Sequence, residues 1–138
     1  MDSLTPRKFN TPRLWRLLLG VYWLAMVVGT HVPPRFHAVQ EELSDKVIHF
    51  FAYAGLAWLL AMAWQMSVGR LNFRHLLWAW MAILVVAIVD EVTQPPFGRD
   101  ASVWDWLADA LGSATGLFVF TLTRHWFDKT ELTQTSEE

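Results

Sequence analysis

The run HLLWAWMAILVVAIVDEVTQ, residues His75–Gln94, decides how this chain folds. From Leu76 to Val89 it carries no charged residue, and two prolines follow it, which end a helix because proline lacks the amide hydrogen and its ring clashes with the preceding turn. A helix that crosses a bilayer needs about 20 mostly apolar residues, since the hydrocarbon core is about 30 Å thick and each residue rises about 1.5 Å. The run therefore predicts a membrane-spanning helix.

Three further apolar blocks predict three more spans, over Leu14–Thr30, Lys46–Ser67 and Ser102–Arg124. The connections Val68–Arg74 and Pro95–Ala101 are short, so consecutive helices should be antiparallel neighbours. We therefore predict an all-α, four-helix transmembrane bundle. Residues 1–13 form an N-terminal segment, residues 14–124 the membrane domain, and residues 125–138 a polar tail, in which we expect 128–138 to be disordered.

The composition of the 138 residues agrees with this architecture and excludes others, with 54% hydrophobic and 17% charged residues and 9 Trp. Intrinsic disorder of the whole chain needs low hydrophobicity and high charge. The absence of cysteine excludes a disulfide-stapled module and a cysteine-ligated zinc or iron–sulfur site. A net charge of −2 gives no sign of nucleic-acid binding, which needs a concentrated basic patch.

The distribution of Lys and Arg predicts the orientation, because positive residues favour the cytoplasmic side. Three of them, Arg35, Lys46 and Arg99, lie on one side of the predicted topology. The other side has Arg7, Lys8, Arg13, Arg16, Arg70, Arg74, Arg124 and Lys129. We therefore expect both termini in the cytoplasm. The basic start also resembles a signal peptide, but the long apolar run and the Pro33–Pro34 pair that follows favour a retained helix.

Ionisable and amide side chains inside the apolar blocks are the main functional signal. Such groups cost a few kcal/mol inside a bilayer and therefore mark sites or partners. On the predicted topology they fall at the outward ends of the helices: His49, Asp90, Glu91, Gln94, Asp105 and Asp109. We expect them to gather in one polar pocket near the outer leaflet.

Helical spacing predicts which way the fourth-helix residues face. Asp105, Asp109, Gly112 and Gly116 fall within a narrow arc of the helix. Two glycines four apart let helix backbones approach closely. The acidic stripe therefore continues a packing stripe and should face the bundle interior. On the second helix, Asp45 and His49 share one face.

Several of these residues also have a purely structural interpretation. Ser44 or Asp45 is suited to cap the second helix, because Ser and Asp are favoured N-caps. Ser102 and Asp105, three apart, are spaced like a capping box. We expect Asp90 to lie at headgroup level in contact with water. Glu91 and Asp109 are the residues that these interpretations explain least.

Three motifs resemble the VanZ-like family of small bacterial membrane proteins. The first is Asp45–Leu56 (DKVIHFFAYAGL), the second is Asp90–Gln94 (DEVTQ), and the third is Gly98–Ser102 (GRDAS) followed by Leu107–Asp109 (LAD). They occur in the family's order, and the resemblance covers Leu14–Leu122. The family commonly has Asn where this chain has Asp109.

The resemblance implies a four-helix integral protein of the bacterial cytoplasmic membrane. The family's namesake is associated with low-level resistance to the glycopeptide teicoplanin. The family-matching polar positions that we take as the candidate site are Asp45, Lys46, His49, Glu91, Gln94, Arg99, Asp105 and Asp109. Gly112 and Gly116 are expected to serve helix packing.

The residues leave four functions open. The first is an envelope or antibiotic-tolerance protein whose pocket binds a lipid headgroup, a lipid-linked cell-wall intermediate or a lipophilic antibiotic. The second is a membrane enzyme acting on such lipids, since imidazole and carboxylates can hold a cation that activates water. The third is a proton or ion pathway, and the fourth is a polar knot that only holds the helices together. We expect membrane lipids as partners and no nucleic acid, and we assign no cofactor, although a divalent cation fits the carboxylates and His49.

Overall fold

The computed structural model describes residues 11–31 and 41–135, with side chains for residues 12–31 and 45–125. Its elements are α1 (Thr11–His31), α2 (Glu41–Val68), α3 (Phe73–Thr93), a 3-10 turn at Pro95–Phe97, and α4 (Val103–Thr135). Each helix contains a segment that is long and apolar enough to cross a membrane. The prediction of an all-α bundle with four candidate spans is confirmed. Arg7, Lys8 and Arg35, on which the predicted orientation partly depends, lie outside the described residues.

The ends of α3 follow from local sequence. Asn72 caps the helix through a reciprocal pair of bonds: the His75 amide donates to Asn72 Oδ1 over 3.1 Å, and the Asn72 amide donates to His75 Nδ1 over 3.3 Å. The helix therefore begins at Phe73, slightly earlier than predicted. It ends at Thr93, just before the two prolines, as the sequence predicts.

The polar flanks of α2 and α4 are helical, which the hydropathy pattern did not predict. Because α2 begins at Glu41, Ser44 and Asp45 lie within the helix and the prediction that either is its N-cap is wrong. Similarly, α4 continues to Thr135, so the expected disorder is wrong for residues 128–135. Apolar length reports only how far a helix can lie in lipid, whereas the helix itself continues into polar sequence.

The centre of the bundle is the parallel pair of α2 and α4. At Gly112 and Gly116 a Cβ would collide with the carbonyl oxygens of Phe50 and Ala54, so the two backbones touch there. Residue numbers rise together along this seam, which makes the helices parallel. The seam fixes the register that brings the start of α2 beside the start of α4.

The outer helices pack antiparallel onto this pair. The Tyr22 hydroxyl of α1 donates to the Ala52 carbonyl of α2 over 2.9 Å. The Trp80 indole of α3 donates to the Ala110 carbonyl of α4 over 3.2 Å. As a result, α1 and α3 end where α2 and α4 begin. We call this the polar end of the bundle.

The distribution of apolar and polar side chains is inverted relative to a soluble bundle. Large apolar side chains face outward on every helix, and Leu17, Phe51, Val85 and Phe118 are each more than half exposed. Buried polar side chains are concentrated at the polar end: Thr30, His49, Asp90, Glu91, Gln94, Asp105 and Asp109. A continuous apolar exterior around buried ionisable groups is the pattern expected of helices packed in lipid.

Candidate functional site

The polar end brings together all eight residues selected from the sequence. They come from α2, the end of α3, the loop after it and the start of α4, and contacts link them into one network, which we call the polar cluster. The members are Asp45, Lys46, His49, Glu91, Gln94, Arg99, Asp105 and Asp109. Their convergence follows from the α2–α4 register and from the short connection between α3 and α4.

The deepest part of the polar cluster is His49, Glu91 and Asp109, which we call the inner trio. Nδ1 of His49 lies 2.9 Å from Oδ1 of Asp109 and 3.9 Å from Oε1 of Glu91. The side chains of His49 and Asp109 are at most 1% exposed. With Asp109 ionised, the Nδ1–H of His49 donates to it, and this bond holds the imidazole in one orientation.

Glu91 connects the inner trio to the start of α4. Its Oε2 accepts the backbone amide of Ser102 over 2.7 Å, and its Oε1 accepts the side-chain amide of Gln94 over 3.3 Å. Ser102 in turn caps α4, because its Oγ accepts the Asp105 amide over 3.4 Å. The predicted capping box is therefore only half correct: Glu91 of α3, rather than Asp105, accepts the Ser102 amide.

Two ion pairs, which we call the outer pairs, lie nearer the surface. Nη2 of Arg99 is 2.6 Å from both carboxylate oxygens of Asp45. Lys46 Nζ lies 3.7 Å from Oδ1 of Asp105. The side chains of Asp45 and Lys46 are 28% and 27% exposed, so this layer is accessible, whereas the inner trio is not. Asp45 thus binds the loop arginine instead of capping a helix.

Asp90 is buried, contrary to the expected contact with water. Its Oδ1 accepts the Thr30 hydroxyl over 3.1 Å and lies 3.7 Å from Nδ1 of His31. Nε2 of His31 also lies 3.0 Å from the Thr93 hydroxyl. These contacts tie the end of α1 to the end of α3. In the sequence, the signal for this partner is the adjacent polar pair Thr30–His31 at the end of the first apolar block.

Several deeply buried polar atoms of the cluster make no hydrogen bond within the described part of the chain. They are Nε2 of His49, Oε1 of Gln94, Oδ2 of Asp109, and Oδ1 of Asp105, whose contact with Lys46 at 3.7 Å is an ion pair rather than a hydrogen bond. Buried polar groups in folded proteins nearly always find a partner. Their unused bonding capacity is the feature that most distinguishes this end of the bundle.

Two groups of three side chains have the composition and spacing of a cation site. Ligand atoms of His49, Glu91 and Asp109 lie within 4.8 Å of one another, and so do those of Asp45, His49 and Asp105. Imidazole and carboxylate are ligands that divalent cations accept. The arrangement can therefore bind a cation, or orient His49 through Asp109 for acid–base chemistry.

A family model described as VanZ/LLP1 matches residues 7–124. The chain belongs to the VanZ/LLP1 family. No curated protein and no solved structure matches it. Together with the four apolar helices, this membership makes the chain a VanZ-like membrane protein. All eight positions of the polar cluster lie within the VanZ/LLP1 match, and their role as a site stays a prediction.

An apolar cavity of this VanZ-like bundle lies away from the polar cluster. It measures about 450 Å³ and is situated between α3 and α4 near their opposite end. Leu76, Trp80 and Leu117 are among its lining residues. It lacks the charged groups that would select a polar ligand.

Proposed function

We propose that the polar cluster lies at the outer leaflet of the bacterial cytoplasmic membrane and binds a polar ligand there. The candidate ligands are a lipid headgroup, a lipid-linked cell-wall intermediate and a lipophilic glycopeptide of the teicoplanin type. Through this binding the protein supports cell-envelope homeostasis or antibiotic tolerance. The VanZ/LLP1 match supports this proposal at the level of the family.

The observation that carries the proposal is the set of buried polar atoms without hydrogen-bond partners in the described residues. Leaving one such group unsatisfied costs about 1–3 kcal/mol. A knot that evolved only to hold helices together would satisfy them, and interhelical polar contacts in membranes stabilise by only about 0.6 kcal/mol on average. A ligand that donates and accepts hydrogen bonds would use these atoms.

The two layers of the cluster suit a ligand that carries both an anionic group and hydroxyl or amine groups. The cations Lys46 and Arg99 belong to the partly accessible outer pairs and can meet a phosphate or carboxylate. The carboxylates of Asp105, in an outer pair, and Glu91, in the inner trio, are buried and can accept hydrogen bonds from hydroxyls or amines. Binding would require the outer pairs to open, because both cations already contact carboxylates.

One observation favours a second function, that of a membrane enzyme acting on lipid headgroups or lipid-linked intermediates. The Asp109 carboxylate holds His49 through Nδ1 at 2.9 Å and leaves Nε2 without a hydrogen bond in the described residues. An imidazole oriented in this way is suited to act as a general base. Incubation of the purified protein with labelled lipids tests it: conversion that His49→Gln abolishes supports the enzyme, and no conversion contradicts it.

Deleting the gene and testing sensitivity to glycopeptide and lipopeptide antibiotics, together with the membrane lipid profile, tests the primary proposal. We expect the deletion strain to become more sensitive or to change its lipid profile, and we expect the wild-type gene to restore both. Lys46→Gln should restore less, because it removes a cation from the accessible layer. Arg70→Gln is the matched control, since it removes an exposed cation from the opposite end of the bundle. Unchanged sensitivity and an unchanged lipid profile would contradict the proposal.

A further inference from the structure

The charges of the polar cluster do not balance. Four carboxylates face two permanent cations, which leaves a net charge of −2 when His49 is neutral: Asp45, Glu91, Asp105 and Asp109 against Lys46 and Arg99. Arg99 pairs with Asp45, and Lys46 pairs with Asp105. The two remaining negative charges therefore belong to Glu91 and Asp109, on either side of His49. No Lys or Arg whose side chain the structure describes forms an ion pair with either of them.

A net charge of −2 is energetically unfavourable at the buried positions of Glu91 and Asp109. Asp109 is fully buried and Glu91 is 5% exposed. Isolated buried carboxylates either acquire a proton or gain a positive partner, because the low-dielectric interior disfavours the bare charge. One divalent cation would neutralise the inner trio completely.

The spacing of the inner trio fits such an ion. Metal–ligand bonds of about 2.1 Å place adjacent ligand atoms about 3.0–3.4 Å apart and opposite ones about 4.2 Å apart. From Nδ1 of His49, the distances to the Asp109 and Glu91 oxygens are 2.9 Å and 3.9 Å. Ligand atoms of all three residues lie within 4.8 Å of one another. Small side-chain rotations would close the three ligands around a single ion.

The surroundings add one observation that does not come from an acidic residue, and two on how the carboxylates of the trio are held. Gln94 is fully buried, its amide nitrogen reaches Glu91, and its Oε1 lacks a hydrogen bond in the described residues. The second oxygen of Glu91 is held at 2.7 Å by the Ser102 amide, which fixes the carboxylate as outer partners fix metal ligands. Oδ2 of Asp109 is buried and also free of hydrogen bonds in this part of the chain.

We propose that His49, Glu91 and Asp109 bind one divalent first-row transition-metal ion, such as Zn²⁺ or Mn²⁺. The imidazole favours these ions over Mg²⁺ and Ca²⁺, which prefer sites made only of oxygen. For Nδ1 to ligate the metal, neutral His49 must carry its ring proton on Nε2 instead, and the His49–Asp109 hydrogen bond is replaced by one bond from each residue to the metal. The ion would use the inner trio and leave the outer pairs for an envelope ligand, so the metal titration tests this proposal separately from the envelope function.

The test uses the full-length protein without a polyhistidine tag, purified in detergent and stripped with a chelator. Metal content is measured by mass spectrometry, and Zn²⁺, Mn²⁺, Mg²⁺ and Ca²⁺ are titrated separately while thermal unfolding is followed. We expect one Zn²⁺ or Mn²⁺ per chain and a saturable rise in Tm with these ions. Absence of saturable binding to the wild-type chain overturns the proposal, and so does binding of only Mg²⁺ or Ca²⁺.

Matched variants locate the ion. Glu91→Gln, Asp109→Asn and His49→Gln should each weaken the affinity by at least about 100-fold, since even the loss of a group that only orients a ligand costs about 10- to 100-fold. Asp90→Asn removes a buried carboxylate that pairs with α1, and His75→Gln removes an imidazole at the opposite end. Both controls should bind like the wild type. Equal losses in the controls and the trio variants would overturn the assignment to the trio, and if a trio variant fails to fold, the wild-type titration still decides whether an ion binds.

Discussion

Replacing Gly116 with alanine is expected to destabilise the bundle by forcing α2 and α4 apart. A Cβ at this position would collide with the carbonyl oxygen of Ala54. The obstacle is backbone rather than the end of a flexible side chain, so a side-chain rotation cannot relieve it. The same seam sets the register between His49 and Asp109, and separation of the helices would therefore loosen the inner trio as well.

The size of the effect follows from comparison with a glycine that has free space. At Gly20 of α1 a new Cβ meets nothing within 4 Å. Alanine is more favourable than glycine in a helix by about 1 kcal/mol, and this difference in helix propensity stabilises both variants equally. Overpacking of a close contact costs about 1–3 kcal/mol, and only Gly116→Ala incurs it. We therefore expect Gly116→Ala to be less stable than Gly20→Ala by about 1–3 kcal/mol.

Unfolding of the full chain in mixed micelles, followed by tryptophan fluorescence, measures this difference directly. The wild type, Gly20→Ala and Gly116→Ala are compared under the same detergent conditions. Gly112→Ala serves as a second test, because its Cβ would meet the Phe50 carbonyl in the same seam. If Gly116→Ala and Gly112→Ala are as stable as Gly20→Ala, the close parallel packing of α2 and α4 is refuted.

Two further predictions concern the outer pairs and the orientation. In a double-mutant cycle of Asp45→Asn and Arg99→Gln, measured by the free energy of unfolding, we expect a coupling energy of about 1 kcal/mol. This coupling should weaken with added salt, because the ion pair is partly exposed. Additive effects of the two substitutions would show that the two side chains do not form an ion pair. The chain has no cysteine, so single Asp100→Cys and Arg70→Cys variants can be labelled without background. A membrane-impermeant thiol reagent added to intact cells should label Asp100→Cys and spare Arg70→Cys, because these loops lie at opposite ends of the bundle; the reverse pattern would invert the proposed orientation.

The number and position of the helices could be predicted because lipid imposes a length on every span. The apolar run in His75–Gln94 and the two prolines after it fix α3 to within a few residues. The same reasoning failed at the start of α2 and the end of α4, where polar residues continue the helix beyond the apolar length. Hydropathy also contains no information about which helices form the central pair.

The members of the polar cluster could be selected because ionisable groups are so unfavourable in a span that each one is conspicuous. Their partners were less predictable, because pairing depends on register between distant segments. His49 shares a helix face with Asp45 but bonds Asp109, which is 60 residues further along the chain. Similarly, Glu91 accepts the Ser102 amide at the start of α4, and Asp45 binds Arg99. The spacing of residues along one helix predicts only contacts within that helix, whereas the closest contacts of these side chains are with residues of other segments.

The most direct test of the polar cluster as a ligand site is a parallel measurement of stability and phenotype for Glu91→Gln and Asp109→Asn. Both changes remove a buried charge and keep nearly the same shape. We expect each variant to lose the ability to complement the deletion strain while its Tm in chelator-treated detergent stays close to that of the wild type. Loss of Tm with full complementation would contradict the account and leave the cluster as an interhelical knot.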